Sequence, residues 1–289
     1  MVENRGYTES AKAMTGREFT RLSEFISDHC GIKMPPGKKT LLESRLQKRL
    51  RTLGMGSFNE YCDFIFQGPE GASELVLMID AVTTNKTDFF REPVHFTFLT
   101  DTVLPEFEQK RTIGKNQRFM VWSAGCSSGE EPYTLAIVLS EFAMKYPGFP
   151  FTIMATDIST KVLDKARLGI YDEGVISMMP LSLKQKYFLR SKNRDKGQVR
   201  VVPALRSIIQ FQRLNLMDER YPIPEASLDA IFCRNVMIYF DRETQNRLLN
   251  RYCRYLKPEG YIFLGHSETV HGFDLPLTRI ASTIYRKTL

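Results

Sequence analysis

Arg118-Phe119-Met120-Val121-Trp122-Ser123-Ala124-Gly125-Cys126-Ser127-Ser128-Gly129-Glu130-Glu131 reads as a buried strand, a glycine turn and the start of a helix. The apolar run 119–122 is short and β-prone, which suits a central strand. Gly125 and Gly129 bracket small residues, so the backbone can turn tightly and a ligand can come close to it. Pro132 falls near the first turn of the coming helix, where proline is tolerated, and Tyr133 to Tyr146 continues that helix. A strand, glycine turn and helix at the head of an α/β sheet is a ligand-binding arrangement, although an ordinary βα turn has the same outline.

The turn lacks the Lys-Ser/Thr pair of a P-loop and is no clean G-x-G-x-x-G. Glu130 and Glu131 stand where a pyrophosphate would need neutral donors or cations. The ligand expected is therefore one with hydroxyls and a positive group. S-adenosylmethionine, with its ribose, ammonium and sulfonium, fits that description. Asp157 ends the next strand candidate, Phe151 to Asp157, about 30 residues after the turn begins. An acid there bridges ribose hydroxyls in related folds. Asp157 or Ser159 as a cap for a helix over 160–168 is the plainer alternative.

Upstream, residues 1–15 look like a loose tail, and Thr15 with Glu18 forms a capping box for a helix that stops at Gly31. Lys38 to Leu53 is the next helix, with Leu42, Leu46, Leu50 and Leu53 inward and Lys38, Arg45, Lys48 and Arg49 in a stripe beside them. That stripe is either a solvated face or a docking surface for something acidic. Further helices are expected near 57–67, 71–81 and 86–110, with Lys110 to Asn116 as a basic loop. Asn85 and Thr87 read first as helix caps. Downstream, strands are expected at 208–214, 228–233 and 261–265, with one last edge strand at 280–286. Residues 171–207 break the rhythm and suggest a small β-rich insertion with a hairpin around Ser191 to Gly197. The expected organisation is an all-helical domain over 1–90, a linker helix and loop over 91–118, and an α/β domain over 119–289.

The net charge of +7 admits an acidic partner. The five cysteines are scattered, and the four histidines form no metal pattern with them, so reduced thiols, a cytoplasmic setting and no metal are expected. The start, Met-Val-Glu-Asn-Arg-Gly, is polar, and no apolar run approaches the ~20 residues of a membrane span.

Several longer motifs carry a specific resemblance. Thr83 to Glu92, Trp122 to Tyr133, Ala166 to Tyr171, Phe232 to Phe240 and Gly265 to Glu268 resemble the signatures of CheR-type chemotaxis receptor glutamate O-methyltransferases, in that family's order and spacing. The Leu256-Lys257-Pro258-Glu259-Gly260 turn is similar to one common in S-adenosylmethionine-dependent methyltransferases. The resemblance implies a helical domain followed by a Rossmann-like class I methyltransferase domain with a small antiparallel β-subdomain. It implies S-adenosylmethionine as cofactor, with Asn85, Thr87, Arg91, Glu131, Asp157, Asn215, Leu216, Arg234 and Asn235 around it. It puts Arg91, Arg234 and Tyr239 close to the reacting centre, with either arginine orienting the substrate carboxylate. It turns the stripe Lys38, Arg45, Lys48 and Arg49 toward the acidic helices of a chemoreceptor. A monomer that binds no nucleic acid and inserts in no membrane is expected. Some family members tether to a receptor peptide through closely spaced glycines in the β-subdomain hairpin; here that loop holds only Gly197, which weighs against tethering.

Two other enzyme classes and a scaffold share part of this pattern. A nucleic-acid methyltransferase would suit the charge, but the amine-cradling Asn/Asp-Pro-Pro-Tyr/Phe loop is replaced by Arg234-Asn235-Val236-Met237-Ile238-Tyr239. A nicotinamide oxidoreductase lacks its glycine fingerprint. A non-catalytic scaffold that binds S-adenosylmethionine shares every cofactor motif.

Overall fold

The computed structural model describes residues 12–114 and 117–288. The chain divides into a helical unit, residues 1–84 with Tyr239–Asp241, and a sheet unit, residues 85–238 with 242–289.

Helices α1 (Gly16–Cys30), α2 (Lys39–Leu53), α3 (Phe58–Gln67) and α4 (Gly71–Val82) make up the helical unit. The capping box forms: Glu18 N–H donates to the Thr15 hydroxyl, and Glu18 accepts from the Thr15 N–H. Gly31 closes α1 at φ 70° and Gly54 closes α2 at φ 69°, both left-handed positions that favour glycine. Leu22, Ile26, Leu42, Leu46 and Leu50 are buried together. Each such side chain contributes about 1.5–3 kcal/mol on burial. Met14 joins them at 2% exposure, so the expected tail is already anchored at that residue; residues 1–11 lie outside the described residues.

The basic stripe is partly committed inside this unit. Arg49 makes a fork to buried Glu74, with Nε at 2.9 Å and Nη2 at 2.7 Å, and Tyr61 donates to the same carboxylate at 2.9 Å. Arg45 donates to the Val82 carbonyl, to the Thr83 carbonyl at 3.1 Å and to the Thr84 hydroxyl at 2.9 Å. It thus supplies a cation to the end of α4, which has no basic residue in its own last turn. These two arginines are therefore structural cations as well as members of the stripe. Lys48 is exposed and Lys38 half-buried.

The sheet unit opens with non-helical residues 85–88. Then come α5 (Pro93–Phe98), a π turn (Leu99–Val103) and α6 (Leu104–Gly114). The helix expected from 86 thus starts at Pro93, and the expected basic loop is helical as far as Gly114, with 115–116 outside the described residues. Strands β1 (Phe119–Ala124) and β2 (Phe151–Asp157) flank α7 (Glu130–Lys145) in sequence, and α8 (Thr160–Leu168) follows. A three-stranded antiparallel sheet holds β3 (Ile170–Asp172), β4 (Phe188–Arg190) and β5 (Gln198–Val201) in the order β3-β5-β4, with α9 (Leu181–Tyr187) and α10 (Pro203–Ser207) beside it in sequence. The expected hairpin is β4–β5; strand β3 is an addition.

The main sheet is completed by β6 (Ile209–Arg213), β7 (Leu228–Cys233), β8 (Leu256–Leu264), β9 (Leu277–Ala281) and β10 (Ile284–Lys287), with α11 (Arg242–Tyr255) between β7 and β8. Among the described residues its order is β6-β2-β1-β7-β8-β10-β9. The strands from β6 to β8 are parallel; β10 runs antiparallel to both β8 and β9. The single last strand expected at 280–286 is thus a hairpin, turned at Thr283 with φ 57°. Apolar runs put Val121, Ile153, Ile231 and Phe263 at essentially zero exposure, as a sheet covered on both faces requires. None of the five cysteines is in a disulfide, and all five are buried. Among the described residues no helix is long and apolar enough to cross a membrane.

Candidate active site

Parallel strands deliver their carboxyl ends to one edge of the sheet, and the glycine turn after β1 occupies the middle of that edge. The turn is strained and held from several sides. Gly125 (φ 81°), Ser127 (φ 50°) and Gly129 (φ 99°) are left-handed. A Cβ on Gly129 would lie 2.9 Å from both the Ala166 Cβ and the Tyr171 hydroxyl oxygen, and one on Gly125 would meet Val236 at 2.5 Å. The Gly125 and Cys126 N–H groups both donate to the Thr156 carbonyl at 2.8 Å, and Tyr171 OH donates to the Ser128 carbonyl at 2.7 Å.

Asp157 accepts from the Ser127 N–H at 2.8 Å and the Ser159 N–H at 2.9 Å. It fastens the β1 turn to the end of β2, while Ser159, not Asp157, caps α8 through the Val162 N–H. The two turn glutamates part company. Glu130 is buried and accepts from the Ser128 hydroxyl at 2.7 Å, and burial raises its carboxyl above the ordinary range. Glu131 accepts from the Ser123 hydroxyl at 2.7 Å and turns toward Arg234.

Arg234, at the end of β7, has its side chain only 2% exposed. Its Nη1 reaches Glu131 at 3.3 Å, its Nε and Nη2 reach Glu92 at 3.3 and 3.2 Å, and Nη2 also donates to the Arg91 carbonyl. The guanidinium lies 5.4 Å from the Phe96 ring centre. Two nitrogens favour Glu92 and one favours Glu131, and the carboxyls respond differently. Burial alone would raise Glu92, but Arg234 and the His266 N–H hold it below its ordinary value. Burial lifts Glu131 above its ordinary value despite Arg234 and Ser123. A guanidinium so engaged has few donors left for an incoming group. Arg91 is half-buried and donates to the Lys86 carbonyl at 3.3 Å.

The loop after β7 is held by Glu268, which is not among the site residues expected from the sequence. Glu268 accepts from the backbone N–H groups of Gly265, Asn235, Val236 and Met237 at 2.6, 2.9, 2.9 and 2.7 Å. Burial raises its carboxyl, against the pull of those four donors. Asn235 takes φ 60° inside this nest. Glu92 is the second omission; it precedes α5 at φ 54°. Both lie inside the Thr83–Glu92 and Gly265–Glu268 motifs, so the signal was in the sequence, but their partners were not.

The remaining expected residues are placed as follows. The Asn85 carbonyl accepts from the Ser127 hydroxyl at 2.9 Å, and neither Asn85 nor Thr87 caps a helix. Asn215 turns its side-chain oxygen to the Met217 N–H at 3.0 Å, and the Leu216 carbonyl accepts from Tyr221 and Arg251. Tyr239 groups with the helical unit, where the Lys38 ammonium lies 6.0 Å from its ring centre. The structure also brings together a set that sequence spacing hides. Ligating atoms of Glu92, His95 and His266 lie within 4.8 Å of one another, whereas the sequence suggested no metal pattern.

The profile of the CheR methyltransferase SAM-binding domain matches residues 85–286, and that of the CheR methyltransferase all-alpha domain matches residues 17–83. The chain belongs to the CheR methyltransferase family. It is 44% identical to a chemotaxis protein methyltransferase of Borreliella burgdorferi, with 95% of each chain covered. It is 42% identical to chemotaxis protein methyltransferase 2 of Pseudomonas aeruginosa, over 94% of this chain and 93% of that one. For the chemotaxis protein methyltransferase of Escherichia coli the figures are 38%, 94% and 91%. The sheet unit is this family's S-adenosylmethionine-binding domain, and the helical unit its all-alpha domain.

Proposed function

We propose that the chain methylates glutamate side chains on the cytoplasmic helices of chemoreceptors, forming glutamate 5-O-methyl esters. The observation that carries this reading is the Glu131–Arg234–Glu92 group, in which a buried Arg234 joins two half-buried acids. Two carboxylates share one engaged guanidinium, so the neighbourhood favours a cationic ligand. That fits a sulfonium nucleoside and disfavours a pyrophosphate. Asp157, beside the glycine turn, is the proposed ribose contact, with Asn85, Thr87, Asn215, Leu216 and Asn235 completing the pocket.

When bound, S-adenosylmethionine supplies an activated methyl that passes to a carboxylate oxygen in one displacement, the sulfur keeping the electron pair of the broken bond. A glutamate, with its ordinary pKa near ~4.3, is already a nucleophile at neutral pH, so the protein needs no general base. Its task is in-line placement and exclusion of water, worth ~7–11 kcal/mol. Arg91 is proposed to hold the incoming carboxylate by a two-pronged contact, Arg234 to fix Glu131 and Glu92, and Tyr239 to shape the transfer pocket. Lys38, just before α2, and Lys48 on α2 are proposed to meet the acidic receptor helix, with Arg45 and Arg49 setting the helix. The proposed state is a cytoplasmic monomer.

The test is transfer of labelled methyl from S-adenosylmethionine to receptor cytoplasmic fragments, with glutamate-to-alanine fragments as controls. Base-labile label that disappears with the glutamates is the expected result. Label on nucleic acid instead, or binding of S-adenosylhomocysteine without transfer to any fragment, overturns it. Arg91→Ala should slow single-turnover transfer; lost S-adenosylhomocysteine affinity with an unchanged single-turnover rate would contradict a substrate-orienting role for Arg91.

A further inference from the structure

Glu92, His95 and His266 converge although 171 positions separate the two histidines. The methyl transfer uses neither imidazole. His95 is fully buried, with Nε2 2.9 Å from the Thr283 hydroxyl oxygen. That hydroxyl donates to the Ser282 carbonyl at 2.7 Å, so it faces His95 as an acceptor. With the ring proton on Nε2, the arrangement that Nδ1 ligation requires, the Nδ1 lone pair faces Glu92. Nδ1 is buried, makes no hydrogen bond, and lies 3.5 Å from Glu92 Oε2. An imidazole lone pair facing a carboxylate oxygen, both shielded from water, is a repulsive contact that a cation between them would relieve.

We infer that Glu92, His95 and His266 form a binding site for a divalent transition-metal ion, with Zn²⁺ as its representative. Two imidazoles and one carboxylate suit zinc and its first-row neighbours, whereas Mg²⁺ and Ca²⁺ prefer oxygen donors. The bond from His95 Nε2–H to Thr283 is the outer contact that ligating histidines ordinarily make, fixing tautomer and ring orientation. His266 is exposed and follows Gly265 at the end of β8, so its ring can close on the ion from the solvent side. Its backbone N–H already donates to Glu92 Oε1 at 3.3 Å. Three protein ligands leave a fourth position for water. The site is also linked to the candidate pocket, since Glu92 Oε2 is the atom that Arg234 holds at 3.2 Å. An ion that draws Glu92 away loosens Arg234 and its partner Glu131, so metal is expected to weaken S-adenosylhomocysteine binding. That last consequence rests on the function proposed above; the metal site does not.

Calorimetric titration of chelator-treated full-length protein with Zn²⁺ alone, alongside visible absorption with Co²⁺, tests the site directly. One equivalent is expected to bind, with no comparable response to Mg²⁺. His266→Ala and His95→Gln should each abolish that equivalent, and Thr283→Val should weaken it ~10–100-fold. His266→Ala removes an exposed ring, and an unchanged thermal melt without metal confirms its fold. Nitrogen NMR of the metal-free protein should find His95 protonated on Nε2, and added Zn²⁺ should shift its Nδ1. A proton found on Nδ1, or a Zn²⁺ equivalent that survives both histidine changes, overturns the proposal. S-adenosylhomocysteine affinity of the metal-free protein, measured separately, reports on the methyltransferase reading alone.

Discussion

At Arg234 a single guanidinium serves Glu92, Glu131 and the Arg91 carbonyl. Arg234→Ala leaves both carboxylates buried without their cation, and breaking such a pair costs about 3–5 kcal/mol. Arg234→Lys keeps the charge but cannot span both acids, so it should recover only part of the loss in urea unfolding and bind S-adenosylhomocysteine more weakly than the wild type. Glu131 carries a prediction with a sign. Burial raises its carboxyl, so it takes up a proton at a higher pH than an ordinary glutamate does. The ionised form is the one suited to a cationic ligand. S-adenosylhomocysteine affinity should therefore be full at neutral pH and fall as acid is added, starting above the ordinary glutamate range. Glu131→Gln should bind more weakly and lose this pH dependence; a mutant with the same profile as the wild type would contradict the assignment. Residue types were legible in the sequence here, but partners were not. The distance along the chain from Glu92 to Arg234, or from Asn235 to Glu268, is bridged by tertiary structure that periodicity does not encode.

The glycine turn shows how an element turns sequence into a site. Its strand, its break and its helix were readable from apolar runs and glycine placement, because local rules dominate in a central parallel strand. What could not be read was how closely Ala166, Tyr171 and Val236 press on it. Gly129→Ala must place a Cβ at a φ of 99° and 2.9 Å from two neighbours. Thermal or urea melts should show a loss of about 1–3 kcal/mol, and cofactor affinity should fall more than stability requires. The strand pair β9–β10 was missed for a related reason. A positive φ at Thr283, a residue type that rarely adopts one, gives no sequence signal for a turn. Helix α5 was misplaced because capping residues at 83–88 imitate a helix start, while the real one follows a left-handed Glu92.

Over the whole molecule, the two-part organisation followed from an early run of amphipathic helices and a later alternation of strand and helix. Net charge was legible as well, but its distribution was not. Arg45 and Arg49 sat in the same stripe as Lys48 on paper and turned out to face Thr84 and Glu74. The buried thiols offer a clock for how the molecule comes apart. Cys30 and Cys62 lie in the helical unit, and Cys126, Cys233 and Cys253 in the sheet unit. Under native conditions a thiol reagent should find almost nothing to label, and each adduct that does form marks an opening event. In mild denaturant, peptide mapping that shows Cys30 and Cys62 tagged well before the other three would reveal independent melting. Simultaneous tagging of all five would make the two halves a single cooperative body.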